Sequence, residues 1–316
     1  MSFPHSRLIF VAGPTASGKS FLAIKIADFL NKNYGLSSEI INSDGMQLYN
    51  ELKILTAFPS DDYLARVRHN LFGVLSPNDS SSIALWWEMA TQEIKRIHSE
   101  QNVAIICGGT GFYMKALLNG IVDIPEIPSE IRNNVRDRFL EVGRDQFFDE
   151  LKKMDVESLV SKGDTQRLLR AYEIALFTGK PLSHWWSKSD RISCTDAVAI
   201  VLNPEREKLK QVCYDRICSM IQNGAIEEVE DFVKRYENYS GPLANAVGYQ
   251  EISSLLRNEI SLQDCIEKMH TRTRQYAKRQ STWFRNQMKE ALFFNDFGQC
   301  VVLEACNACI NGIVAD

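Results

Sequence analysis

The chain has 316 residues, 45% hydrophobic and 24% charged, with a formal net charge of −4 at pH 7. That length supports a well-buried core plus an insertion or second small domain, and the acidic balance argues against a protein that coats nucleic acid non-specifically while allowing a local basic face. No apolar run reaches the roughly 18–20 residues of a membrane helix, and the N-terminus passes into apolar sequence within a few residues, so neither a membrane span nor a signal peptide is expected; the cytoplasm is the default location.

The first element is the most informative. An apolar run at residues 8–12 breaks at Gly13 and Pro14, continues through Thr15, Ala16, Ser17, Gly18, Lys19 and Ser20, and leads into an apolar-periodic segment over residues 21–30. This is the strand, glycine-bounded turn and helix of a phosphate-binding loop, GxxxxGK[ST]. Amides at the helix N-terminus and the helix dipole behind them attract an anion, Lys19 adds a point charge, and the Ser20 hydroxyl suits Mg²⁺. Short apolar runs at 39–42, 103–107 and 196–202 follow as further strands, separated by helical patterns. They predict an α/β fold with a parallel sheet flanked by helices, and in such sheets ligands sit beyond the carboxyl ends of the strands. Asp44 and Thr110 stand at two of those ends. Position alone leaves Asp44 open as a metal ligand, a general base or a solvated turn residue.

Residues 119–199 contain little strand character. Pro125 and Pro128 precede charged helical patterns over 130–142, 145–154 and 165–178, so this stretch is predicted to be an all-helical insertion domain, with residues 1–118 and 200–316 forming the catalytic core. Helical patterns resume over 206–236 and 262–285. Within the latter, residues 268–285 carry Lys268, Arg272, Arg274, Lys278, Arg279 and Arg285 without an acidic residue, and Tyr276, Trp283 and Phe284 are interleaved. Such a helix suits a nucleic-acid backbone; a solvated helix with core aromatics is the bland alternative. Arg167 and Arg170 share one helical face, a weak signal alone. Eight cysteines are scattered singly, predicting reduced thiols; Cys306 and Cys309 form a CxxC without a second pair, which disfavours zinc. The five histidines show no ligand spacing, and none is assigned a catalytic role.

Read in order, GPTASGKS, SDGMQLY, a TAxP at residues 56–59, GGTGFYMKAL, DxQRLLRAYE, VGYxE and TRQYAKRQxTWFR resemble the tRNA dimethylallyltransferases, also called tRNA isopentenyltransferases. Each motif is weak, but their order is specific, because a nucleotide kinase shares only the first. The resemblance covers most of residues 8–285. It implies a P-loop fold and transfer of the dimethylallyl group of dimethylallyl diphosphate to the exocyclic amine of the adenine 3′ of the anticodon, in tRNAs reading codons that begin with U. The loop from Gly13 to Ser20 would hold the diphosphate, with Mg²⁺ shared by Ser20, and Asp44 would serve the amine proton. The implied tRNA contacts are Asp44, Gly45, Met46, Gln47, Thr110, Arg132, Gln166, Arg167, Leu168, Leu169, Arg170, Asn245, Ala246, Val247, Gly248, Tyr249 and Gln250, joined by Arg274, Lys278 and Arg279 of the basic helix. The partners implied are the anticodon stem-loop of tRNA and the prenyl donor, with a monomer as the default state. Gly45, Leu55, Phe58 and Asn70 depart from the family's usual serine, glycine, lysine and histidine. The alternative function is an ATP-dependent nucleoside or small-molecule kinase, which leaves the basic helix without purpose; a nucleotide-driven switch or RNA-binding module is a third reading.

Overall fold

In the computed structural model, residues 7–121, 124–156, 160–187 and 197–313 are described. Six strands form one sheet: β1 (Leu8–Ala12), β2 (Ser38–Asn42), β3 (His69–Asn70), β4 (Val103–Gly108), β5 (Val198–Leu202) and β6 (Leu292–Phe294). The order is β3-β2-β4-β1-β5-β6 with every pairing parallel, as the unbroken apolar runs predicted. The helices are α1 (Lys19–Tyr34), α2 (Asp61–Arg66), α3 (Ile83–Ser99), α4 (Gly111–Asn119), α5 (Ser129–Met154), α6 (Thr165–Thr178), α7 (Leu182–Ser187), α8 (Arg206–Gln222), α9 (Ala225–Arg235), α10 (Tyr249–Leu256), α11 (Leu262–Gln287) and α12 (Val302–Ile313).

Alternation along the strands divides the core. Leu8, Phe10 and Ala12 of β1 face Trp86, Ala90 and Ile94 of α3, Met114 of α4 and Phe284 of α11, whereas Ile9 and Val11 face Leu22, Ile26 and Leu30 of α1 and Ala305, Cys306 and Cys309 of α12. Both cysteines of the CxxC are thus core residues; burial pushes their thiols up to about 11 and about 12. The predicted start of β5 at Asp196, and Cys194, lie outside the described residues.

Two strands were missed in the sequence because each is too short for an apolar period: β3 is two residues long and β6 three. The helical pattern over 206–236 is two helices, since Gly224 caps α9 in the left-handed region at φ 97°. The chain divides into two compact units, Met1–Leu118 with Ser193–Asp316, and Asn119–Ile192. The second unit has its own core of Val135, Phe147, Leu151, Leu168, Ala171 and Ile174, contributed by α5 and α6.

Candidate active site

The phosphate loop joins β1 to α1. Gly18, at φ 84°, is the N-cap of α1; no side chain caps the helix and no acidic residue occupies its first turn. The first-turn amides therefore have no intrahelical or side-chain partner and remain available to an anion. Lys19 Nζ donates to Pro14 O at 3.3 Å. Crowding by protein lowers the Lys19 pKa, partly offset by Cys107 and Asp44, although solvent still reaches part of the side chain. Ser17 is fully buried, and its Oγ lacks a hydrogen-bond partner. Ser20 is exposed. The Thr15 amide is not free for a ligand: it donates to Gln280 Oε1 at 2.8 Å, and Thr15 Oγ1 accepts from Arg216 Nη1 at 3.3 Å.

Arg216, on α8, escaped the sequence reading. Burial lowers its pKa from the usual arginine value, and the nearby charge of Asp44 opposes that shift. Among the described residues neither Lys19 nor Arg216 has a carboxylate within ion-pair distance. Two crowded, unneutralised cations beside a bare helix N-terminus make a site for a multiply charged anion. The sequence signal for Arg216 was its place at the edge of an apolar stripe, beside buried Cys213 and Ile217.

Asp44 follows β2. Its Oδ1 accepts from the Met46 amide at 3.0 Å, and its own amide donates to Asn42 Oδ1 at 2.8 Å, which fixes the carboxylate and leaves Oδ2 for a ligand. The Gly45 amide donates to Thr110 Oγ1 at 3.2 Å, and the Thr110 amide donates to Ser43 O at 2.9 Å, so the ends of β2 and β4 are tied together. Tyr276 of α11 and Tyr113 of α4 close this corner. Burial raises both phenols, Tyr113 to about 12, and the Asp44 charge adds to each shift. Thr15, Asp44, Thr56, Arg216, Tyr276 and Arg279 line one cleft of about 400 Å³. A larger groove of about 630 Å³ runs along the other flank of α11, past Arg206, Lys210, Arg274, Lys278 and Arg285; it includes neither Asp44 nor Thr15.

Helix α11 seats on the turn after β4. A Cβ on Gly109 would strike the Gln280 amide, and one on Gly111 the Trp283 ring. Arg274, Lys278 and Arg279 stay exposed on the helix, as the basic pattern suggested. Gln47 spends its amide donors on Thr56 O (3.0 Å) and Ala57 O (2.7 Å), so it supports the loop at residues 52–58. That loop is also held by Glu228, whose carboxylate accepts from the Ile54 and Leu55 amides at 2.8 and 2.9 Å. Of residues 245–250, Asn245 and Gln250 are exposed and Val247 half-buried, whereas Ala246, Gly248 and Tyr249 are buried, Gly248 lying against Leu55 and Met269. In the second unit Arg132, Gln166 and Arg167 are exposed, Leu169 is half-buried and Arg170 pairs with Glu173 at 3.2 Å. Leu168 is fully buried in that unit's core, where its side chain is inaccessible to any ligand.

The departures from the family pattern have local explanations. Asn70 donates to Glu39 Oε2 at 2.9 Å, a buried pairing between β3 and β2. Phe58 packs edge-on to Phe72, and Lys53 Nζ lies 5.2 Å from the Phe58 ring centre. Gly45 lies over the Tyr113 hydroxyl.

A phosphate loop at one strand end, a fixed carboxylate at the next and a basic helix across both define a P-loop-type enzyme core. The model of the IPP transferase family matches residues 47–287, and the chain belongs to that family. Among its relatives are tRNA dimethylallyltransferases of Pelagibacter ubique (38% identical over 287 residues, 90% of each chain) and Sinorhizobium medicae (39% over 286 residues, 89% of this chain and 92% of the relative). Among solved structures, the full-length tRNA isopentenylpyrophosphate transferase of Bacillus halodurans superposes with a TM-score of 0.70 at 28% identity, covering 98% of this chain and 97% of its own. A eukaryotic dimethylallyltransferase captured acting on tRNA gives 0.81 at 26% identity, covering 96% of this chain and 78% of its own.

Proposed function

We propose that the chain transfers the dimethylallyl group of dimethylallyl diphosphate to the exocyclic amine of the adenine 3′ of the anticodon, in tRNAs that read codons beginning with U, and releases diphosphate. The observation that carries this reading is the fixed carboxylate of Asp44 and the unneutralised Arg216 lining one cleft, with the unneutralised Lys19 of the phosphate loop close enough to feel the Asp44 charge. An adenine amine is a poor nucleophile, so the reaction needs a stabilised leaving group, alignment and removal of a proton. Lys19, Arg216 and the α1 amides neutralise charge that grows on the diphosphate as its C–O bond breaks. Asp44 Oδ2 accepts the amine proton as the C–N bond forms, and Thr110 holds the turn that carries Asp44. The donors present fit Mg²⁺: the Ser20 hydroxyl, exposed in the first turn of α1, is a hard oxygen ligand that would hold the ion beside phosphate oxygens and water. When bound, Mg²⁺ supplies further charge to the diphosphate.

The adenine is extruded from the anticodon loop into the cleft, because its amine is otherwise stacked out of reach. Arg274, Lys278 and Arg279 contact the stem-loop backbone, and on the second unit, taken by itself, Arg132, Gln166 and Arg167 are exposed and suited to the same chemistry. The same reading takes the enzyme to be a cytoplasmic monomer. No helix among the described residues is long and apolar enough to cross a membrane. The kinase alternative is not favoured, since the relatives share the prenyl-transfer name over about nine-tenths of the chain.

The test supplies unmodified anticodon stem-loop with Mg²⁺ and either radiolabelled dimethylallyl diphosphate or γ-labelled ATP. Label from the prenyl donor on the adenine 3′ of the anticodon is expected. Label from ATP on any acceptor, with the adenine unchanged, refutes the proposal.

A further inference from the structure

We propose that Gln280 is a positioning residue that sets the separation between the diphosphate loop and the Thr110 turn; the inference rests on the prenyl-transfer reading above. Gln280 is buried on α11, with 6% of its surface exposed, and spans two loops that are far apart in sequence. Its Oε1 accepts from the Thr15 amide at 2.8 Å, and its Nε2 donates to Gly109 O at 2.9 Å. One planar group therefore joins Thr15 of the anion loop to the residue preceding Thr110. The partners also fix which end of the amide is which, since an amide N–H meets oxygen and a carbonyl meets nitrogen.

Only a primary amide on a two-methylene stem meets these demands. Glutamate offers the acceptor but no donor, leucine or methionine leaves the Thr15 amide and the Gly109 carbonyl unpaired, and asparagine is one methylene short. Gly109 is moulded to the same contact, because a side chain there would occupy the position of the Gln280 amide. Trp283, one turn further along, fills the space over Gly111 and stops the helix from lifting. The Thr15 amide is thereby diverted from the anion to the scaffold, while Thr15 Oγ1 holds Arg216. Thr15 is thus clamped on both sides, by the residue that reaches Gly109 and by a cation of the site. A shift of Gln280 would move the leaving-group cradle relative to the Asp44–Thr110 corner that receives the amine, without touching either substrate.

The experiment compares wild type, Gln280→Leu and Gln280→Glu in steady-state transfer from dimethylallyl diphosphate to an anticodon stem-loop, alongside thermal melting. A scaffold merely loosened would disturb both substrates; a misplaced cradle disturbs one. The expected result is a kcat loss on the order of 10- to 100-fold with a raised KM for the donor, while the KM for the stem-loop stays within about 2-fold, as for displacement of reacting groups by a fraction of an ångström. Gln280→Glu should fall in the same direction, because the lost donor frees Gly109. Unchanged kcat and donor KM in folded variants overturn the proposal. So does equal damage to both KM values, or failure of both variants to fold, either of which makes Gln280 a folding residue. An inactive wild type would instead overturn the prenyl-transfer reading and is read separately from these comparisons.

Discussion

The site concentrates opposite charges without letting them cancel. Lys19 and Arg216 lie close enough to Asp44 to feel its charge, yet neither forms an ion pair with it, so the cations stay available to a substrate. Asp44→Asn should retain stem-loop and donor binding while turnover drops on the order of 10²- to 10⁴-fold, as for a lost general base; single-turnover rates with saturating substrates check this, and near-normal turnover excludes the role. Arg216→Ala should chiefly raise the donor KM, and an effect confined to stem-loop affinity would contradict its assignment to the anion. Lys19 also carries a pH signature. Its pKa is lowered in the free protein, and a bound polyanion favours the charged ammonium, so binding raises the pKa and takes up a proton. Donor affinity should therefore weaken as pH rises through the lowered Lys19 pKa of the free protein. Calorimetry in buffers of different ionisation enthalpy would detect the uptake, and Lys19→Arg should remove it. The phosphate loop and Asp44 were legible in the sequence because both stand in short motifs at strand ends. Arg216 and Gln280 were not, because each acts from a helix more than 200 residues from its loop partner, and a place beside an apolar stripe does not name that partner.

Among the elements, β1, β2, β4 and β5 were readable as apolar runs, whereas β3 and β6 exist because neighbouring strands offer an edge to pair with. The β2–α3 junction has a titratable fastener. Burial pushes Glu39 up, but hydrogen bonds from Arg96 (2.5 Å) and Asn70 (2.9 Å) pull it down further, leaving the carboxyl below its ordinary value of 4.5. A depressed carboxylate contributes stability above its unfolded-state pKa and loses it as pH falls through the folded-state pKa. Thermal melting should therefore drop on acidification below about pH 4.5, and Glu39→Gln should melt lower at neutral pH while showing a shallower acid slope. The seat of α11 is testable by steric means. Gly111→Ala puts a methyl into the Trp283 ring and should destabilise the fold by about 1–3 kcal/mol in chemical denaturation, as overpacking does.

The whole molecule carries a net charge of −4, yet α11 presents exposed Arg274, Lys278 and Arg279. Affinity for an anticodon stem-loop should fall with added salt, and neutralising any one of the three should reduce the slope of log K against log salt by about 1. A slope unchanged in all three variants would remove α11 from the RNA interface. The helices α5 and α6 were readable from a charged, strand-poor composition, but the burial of Leu168 was not, because a leucine flanked by arginines reads equally well as either face of the helix. The stretch beyond residue 287, silent in the sequence, has the most practical consequence. Its Gly298 amide donates to Ser17 O at 2.9 Å, and Val301, Ala305, Cys306 and Cys309 complete the packing of α1. A fragment cut at the boundary of the matched family residues would strip the outer wall from the phosphate loop, expose a greasy flank of the first helix and precipitate. Anyone engineering a minimal version, a fusion or a C-terminal tag must leave that closing helix whole.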